Sequence, residues 1–333
     1  MNDSDACDGL DQRIVAAIQI NPRAGVAEVG RILGEHERMV ARRVQRLLSA
    51  GTIRCTADYD PLYSGLGRSV HLRLRTAMGC PENIPQGLAK LPGVLNVAAV
   101  SGGAGLLWCH LLAEGRPRLP SQPLKEMPGL HDATVLSAHV TLRPFRTEAE
   151  WHAPVLTEEE EKRLRASLVQ PLPGPARRHD LTPTDRRVAD VLTRNARISL
   201  TDLGKELGFS TATAGRRVAS LLERRVLRLR TVADPAVLGR PVEARVRLKV
   251  HPAGIEAVGA ALSRCPEVSF CAAVTGCHNI LANVCVEDET SLYGFIVGTL
   301  GALPHILDCD TEILTHVSET HASEHGSAAT DAP

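Results

Sequence analysis

The stretch LTDLGKELGFSTATAGRRVASLL, residues 200–222, decides how the chain is read. Leu200, Leu203 and Leu207 recur at helical spacing, and the pattern stops at Gly208. After Ser210 a second stripe begins: Ala214, Val218, Leu221 and Leu222. Ser210 suits a helix N-cap, because its hydroxyl can satisfy free backbone N–H groups. Upstream, Val188, Val191 and Leu192 form a further stripe. Three short helices, with a tight glycine turn between the second and third, make a helix-turn-helix. The basic, β-prone run Val226 to Val232 follows, closed by Asp234-Pro235, and is expected to form a wing.

The same pattern occurs 174 residues earlier. Residues 26–48 read VAEVGRILGEHERMVARRVQRLL, with Gly30, Gly34, Arg42-Arg43-Val44 and Leu47-Leu48 over Gly204, Gly208, Arg216-Arg217-Val218 and Leu221-Leu222. Asp11, Asn21 and Arg23 likewise fall on Asp185, Asn195 and Arg197, and Asp60-Pro61 and Gly65 on Asp234-Pro235 and Gly239. The offset persists through Leu88, Val94, Val100, Gly102 and Leu107 against Leu262, Val268, Val274, Gly276 and Leu281. Composition bias does not keep glycines and Asp-Pro pairs at one offset, so a duplicated module is expected. In the first copy the wing is Ile53 to Ala57, and Gly51 ends the third helix.

At 333 residues the chain suits several domains. Its 44% apolar and 23% charged content is that of a folded protein. No run approaches the ~18 apolar residues of a membrane helix. Met1 to Gly9 lacks the basic and apolar segments of a secretory signal, and the nine scattered cysteines form no C-x-x-C pair. A reducing cytoplasm is therefore expected. The formal charge is zero but segregated: residues 10–57 carry net +4, residues 181–231 net +6, and the remainder −10. On the first third helix Arg38, Arg42 and Arg46 recur every four residues, away from the apolar stripe. On the second, Thr211, Thr213, Arg216 and Arg217 take the equivalent side. Such helices fit the major groove of double-stranded DNA, where arginine can grip guanine edges and hydroxyls can reach phosphates or bases.

The rest of each copy has strand character. Residues 68–75 and 243–250 alternate polar and apolar, as half-buried strands do. Each is followed by a helix, two apolar strands joined by a glycine turn, a second helix and a last strand, at 133–141 and 308–317. That order is ferredoxin-like. Pro117, Pro120, Pro123 and Pro128 cut the second helix short in copy one, while copy two keeps it over 290–300. Between the copies, Thr157 and four glutamates suggest a solvated helix, and Pro171 to Pro175 a stiff linker.

These features together resemble the Lrp/AsnC, or feast/famine, family of prokaryotic transcription regulators. The resemblance rests on Asp185-Arg-Arg-Val, Asn195-Ala-Arg197, Leu203 to Gly208, Ser210 to Val218, Asp234-Pro235, Pro266-Glu-Val268 and Val274-Thr-Gly276, with their counterparts in copy one. It implies an α+β chain: winged helix-turn-helix units at 8–62 and 181–236 and ferredoxin-like αβ-sandwiches at 66–146 and 240–318; composition leaves a linker at 147–180 and a small, polar tail at 319–333 that is expected to be disordered. It also implies sequence-specific binding of double-stranded DNA. The DNA-contacting set would be Arg38, Arg42, Arg43, Arg46 and Arg54 in copy one, and Ser210, Thr211, Thr213, Arg216, Arg217 and Arg228 in copy two. The family's sandwiches oligomerise and often bind an amino acid. Here that effector site would fall on the turns, at Ser101, Gly102 and Gly105 and at Thr275, Gly276, His278 and Asn279. Family members often carry Asp where Gly105 and Asn279 stand, and neither residue can pair with an amine as an aspartate does.

No catalytic constellation, cofactor or metal site is expected. Cys265, Cys271, Cys277 and Cys285 are spaced along strands and do not converge on a tetrahedral site, and the chain has no Walker motif. The alternative is an enzyme similar to the siroheme decarboxylases, which resemble this family; His71, His110 and His278-Asn279 are its hints. The basic third helices favour the regulator.

Overall fold

The computed structural model describes residues 7–60, 63–65, 67–76, 83–89, 93–103, 105–113, 133–168 and 181–319. Its elements in chain order begin with α1 (Gly9–Ile20), α2 (Val26–Leu33), α3 (Glu37–Ser49), β1 (Ile53–Tyr59), β2 (Arg68–Arg75), α4 (Asn83–Ala89), β3 (Val94–Val100), β4 (Leu106–Ala113) and β5 (Thr134–Arg146). After α5 (Glu158–Arg165) come α6 (Pro183–Arg194), α7 (Leu200–Leu207), α8 (Thr211–Glu223), β6 (Leu227–Ala233) and β7 (Val242–Val250). The last are α9 (Ile255–Leu262), β8 (Val268–Val274), β9 (Ile280–Val286), α10 (Glu289–Gly294), which runs on into a π-helical turn over Phe295–Leu300, and β10 (Ile306–Glu319). The copy-one segment expected to hold a shortened helix (114–132), the Pro171 to Pro175 run and the tail beyond 319 lie outside the described residues. Among the described residues no helix is long and apolar enough to cross a membrane.

The chain divides into two compact units, Met1–Ser64 with Thr147–Pro241, and Gly65–Arg146 with Val242–Pro333. Like elements of the two copies are therefore gathered together, whereas the sequence suggested a serial string of domains.

In the first unit the trihelical pattern forms twice. Val188, Leu192, Leu203, Ala214, Val218 and Leu221 build one core, and Ile14, Ile18, Val29, Val40, Val44 and Leu47 build the other. Local chemistry sets the helix ends. Asp8 and Thr182 cap α1 and α6 in capping boxes with Asp11 and Asp185, and Ser210 caps α8 by accepting from Thr213 N. Gly34 and Gly208 both take φ +74°, the left-handed turn that ends the second helix. One turn earlier, a Cβ on Gly30 would stand 2.8 Å from Glu35 O, and one on Gly204 2.7 Å from Phe209 O. The third helix can come this close only because glycine is there.

The two expected wings are strands, but each pairs with the other. β1 and β6 form an antiparallel ribbon with Ile53 opposite Ala233 and Tyr59 opposite Leu227. This corrects the reading of each as a wing of its own copy. A single strand needs a ladder partner for its N–H and C=O groups, and here the other copy supplies it. The expected solvated helix is packed as well: α5 lies on α1 and α2 with Leu164 fully buried, Asn21 donates to Leu164 O, and Arg13 pairs with Glu160 at 2.6 Å. Thr157 caps it as expected.

In the second unit eight strands close into a barrel in the order β10-β3-β4-β2-β5-β8-β9-β7. It consists of two ferredoxin-like sheets, β5-β2-β4-β3 and β10-β7-β9-β8, joined edge to edge by β5–β8 and β10–β3. The outward apolar faces pack on helices: Val70, Leu72, Leu74, Leu107 and Cys109 with Leu88 of α4, and Val246, Leu248, Ile280 and Val284 with Val258 and Leu262 of α9. The alternate residues therefore turn into the barrel. There Ala98, Trp108, Phe270, Ala272, Val274, Leu281 and Leu314 form a second core. The polar half of the alternating pattern is accordingly buried: Ser69, His71, His139, Arg245, Arg247, Asn283 and Glu312 are each at most 9% exposed.

Candidate nucleic-acid interface and effector turns

Each third helix buries one stripe and exposes the other, and the basic residues on that exposed side divide into two kinds. Arg43 donates to Asp8 at 2.7 Å and to Asp11 at 2.9 Å, and Arg46 also donates to Asp11, whose side chain is 1% exposed. In copy two, Arg217 reaches Asp185 at 3.2 Å and lies over the Phe209 ring at 5.7 Å, while Arg224 reaches the same carboxylate at 3.4 Å. Burial alone would raise the Asp185 carboxyl, but hydrogen bonds from Thr182 and the Arg224 cation outweigh it and hold the pKa below the usual value. Arg43, Arg46 and Arg217 thus tie the third helix to the N-terminal turn of the first. They are not the open groove-facing set the periodicity suggested.

The second kind is open. Arg38 and Arg42 on α3 and Thr211 and Arg216 on α8 are exposed, and no side-chain partner holds Arg38, Arg42 or Arg216 among the described residues. Ser210 is exposed, but its hydroxyl is engaged in capping and donates to Thr213 Oγ1 at 3.0 Å; Thr213 is half-buried. The ribbon arginines stand apart from this surface. Arg228 is paired to Asp60 at 2.8 Å and to Glu150, and Arg54 is half-buried opposite Val232. A wing contact from either is not what the ribbon presents.

A reciprocal pair escaped the sequence reading. Arg23 donates to Ala196 O at 2.7 Å and Ile198 O at 3.0 Å, and Arg197 donates back to Pro22 O at 2.7 Å and Ala24 O at 2.8 Å. The two occupy equivalent positions in the repeat, so the trihelical copies clasp each other about a pseudo-twofold axis. The signal was present in the matched Asn-x-Arg triplets, but an arginine after a helix reads as surface unless its partner carbonyls are known.

On the effector turns, most of the expected groups are committed to structure. Asn279 bridges both backbone groups of Val250, accepting from its N–H at 2.9 Å and donating to its carbonyl at 2.8 Å. Thr275 Oγ1 accepts from Val140 N at 2.9 Å, and its carbonyl faces His139 Nδ1 at 2.7 Å. A Cβ on Gly276 would meet His139 Nδ1 at 2.9 Å, and one on Gly105 would meet Thr76 O at 2.7 Å. Ser101 and Gly102 are exposed, with Ser101 N bonded to Ile313 O. His278 sits between Asp308 at 3.3 Å and Cys277 at 3.5 Å. The four cysteines weighed as ligands do not gather: Cys271 and Cys285 are buried, Cys265 half-buried and Cys277 exposed, and among the described residues no metal-holding group of three exists.

Comparison with known proteins matches the AsnC-type helix-turn-helix domain at residues 8–48 and again at 181–222, and the Lrp/AsnC ligand binding domain at 243–321. An HTH-type transcriptional regulator of Mycobacterium tuberculosis is 32% identical over 114 residues, covering 34% of this chain and 77% of that protein. An uncharacterized HTH-type transcriptional regulator of Pyrococcus horikoshii is 28% identical over 145 residues, covering 43% of this chain and 92% of that protein. Among solved structures, the siroheme decarboxylase NirDL in complex with an iron-uroporphyrin III analogue aligns over 96% of both chains, with a TM-score of 0.56 at 16% identity. That likeness concerns the fold alone.

Proposed function

Since the chain belongs to the Lrp/AsnC family of transcriptional regulators, we propose that it is a fused pair of regulator modules in which α3 and α8 enter successive major grooves of one operator. The observation that carries this is the repeated open surface: Arg38 and Arg42 on one third helix, Thr211 and Arg216 on the other, each backed by arginines spent on holding the helix. The Arg23 and Arg197 clasp sets the two readers about a pseudo-dyad, which suits inverted half-sites. The halves are unequal. Copy one carries Glu35 and Glu37 where copy two carries Phe209 and Thr211, so the preferred half-sites differ, with carboxylates able to accept from cytosine on one side only. The barrel unit serves as the ligand-binding and self-associating part of a cytoplasmic oligomer, with an amino acid as the effector expected of the family.

The test is selection of bound fragments from the source genome, followed by fluorescence anisotropy on the selected duplex. Arg42→Ala and Arg216→Ala each weaken binding by about 1–3 kcal/mol, and log K falls linearly with log salt. Unchanged affinity in both variants removes these helices from the groove.

A further inference from the structure

Among the described residues of the barrel unit, buried polar atoms without a hydrogen bond lie in the barrel interior rather than at the glycine turns, those of His71 and Asn283 among them. His71 is 2% exposed, and neither ring nitrogen makes a hydrogen bond. It stacks on His110 at 4.1 Å with a 16° tilt and lies 5.3 Å from the Phe270 ring. Opposite Phe270 on the next strand is Asn283, 3% exposed, whose Oδ1 accepts nothing. Neighbouring groups are accounted for. His110 pairs with Ser69 at 2.8 Å, and His139 is held between Thr275 O and Ser137 Oγ. A buried imidazole or amide left without a partner forfeits the hydrogen bonds it makes in water, so such groups in a native fold call for an occupant.

The charges around them are cationic at the centre. Arg245 and Arg247 are buried, both guanidiniums lie over Trp108, and Arg73 joins them from β2. The one buried carboxylate on this face among the described residues is Glu312. It serves Arg73, Arg247 and the Trp108 indole N–H, the last at 2.7 Å; Asp310, which also holds Arg247, is 43% exposed. The repeat shows how this arose. Arg73 and Arg247 are equivalent positions, as are His71 and Arg245, but where Glu312 stands opposite Arg245 the other sheet has His139 opposite His71, so the carboxylate has a histidine as its counterpart. Burial, with His110 and Arg245 adding to it, keeps His71 neutral, so it can offer one N–H.

We propose that the barrel binds a small hydroxycarboxylate between His71, Phe270 and Asn283, its carboxylate taken by the His71 N–H within the field of Arg245 and its hydroxyl donating to Asn283 Oδ1. An eight-stranded barrel is wide enough to be filled by side chains or to hold one small ligand. A zwitterionic amino acid fits less well, because its ammonium would meet the guanidiniums. The assignment is independent of DNA binding.

The experiment is calorimetric titration of the full chain with glycolate, lactate and malate, beside propionate, alanine, chloride, phosphate and iron uroporphyrin, at up to about 10 mM for the small ligands. The hydroxy acids bind saturably. His71→Phe, which keeps the ring stack, weakens them by ~10-fold or more, and Asn283→Leu removes the preference for lactate over propionate. In the unaltered chain, imidazole NMR shows the His71 resonance shifting on saturation, a readout that survives if a variant fails to fold. No saturable binding, equal binding of inorganic anions, binding of alanine or the tetrapyrrole alone, an unmoved His71 resonance, or wild-type affinity in folded His71→Phe overturns the assignment.

Discussion

Replacing Arg23 by methionine tests what holds the two trihelical copies together. The substitution removes two hydrogen bonds, at 2.7 and 3.0 Å, from a guanidinium to the carbonyls of Ala196 and Ile198. Bonds from a charged donor contribute about 1.5–3 kcal/mol each. Arg23 is half-buried and methionine keeps the apolar stem, so the net loss is about 2–4 kcal/mol. For a unit of this size that lowers its Tm by about 5–15 °C. The second arginine refines the test. Burial first, and the Arg197 cation second, lower the Arg23 pKa, so the two guanidiniums oppose each other's charge. Each single substitution also relieves that repulsion, so Arg23→Met with Arg197→Met should cost more than the sum of the singles, by about 0.5–1 kcal/mol. The assay is urea unfolding followed by circular dichroism, with calorimetry to separate the two units. An Arg23→Met protein within about 0.5 kcal/mol of wild type would refute the clasp.

Glu312→Gln leaves Arg73 and Arg247 without their shared buried charge; the barrel unit should lose about 3–5 kcal/mol, read from its calorimetric transition. Gly259→Ala places a Cβ 2.2 Å from the Phe145 ring, forcing it off its rotamer at a cost of about 1–3 kcal/mol in the same measurement. Burial first holds both His71 and His139 below the ordinary histidine value of 6.5. The folded state then binds fewer protons than the unfolded one, so their contribution is present above that value and is lost as pH falls below it toward the folded pKa. Melting followed from neutral pH into the acid range should show this decline, and His71→Phe should flatten it; an unchanged slope would show that His71 is not its source.

The trihelical units were legible because a helix announces itself locally. The stripes through Val218 and Val44, the cap at Ser210 and the turns at Gly34 and Gly208 all lie within a few residues of what they control. The fate of the arginines was not legible in this way. Spacing along α3 grouped Arg38, Arg42 and Arg46 on one ridge, yet Arg46 is committed to Asp11, 35 positions earlier, and Arg38 and Arg42 are not. A helical period reports which residues share a side, not which of them meet a partner from another element.

The amino-acid order alone carried the helix-turn-helix patterns at 8–48 and 181–222 and the alternating strands, since each depends on spacing between near neighbours. Which way the strands' polar faces turn was decided only in three dimensions. A lone sheet with Ser69, His71 and Arg73 on one side would show them to water, but pairing β5 with β8 and β10 with β3 wraps that side inward. The same applies to β1 and β6, which each lack a ladder partner until the other copy supplies it. Edge pairing between copies is a long-range event that no local period encodes, and it is what buries the histidine, asparagine and arginine chemistry of the barrel.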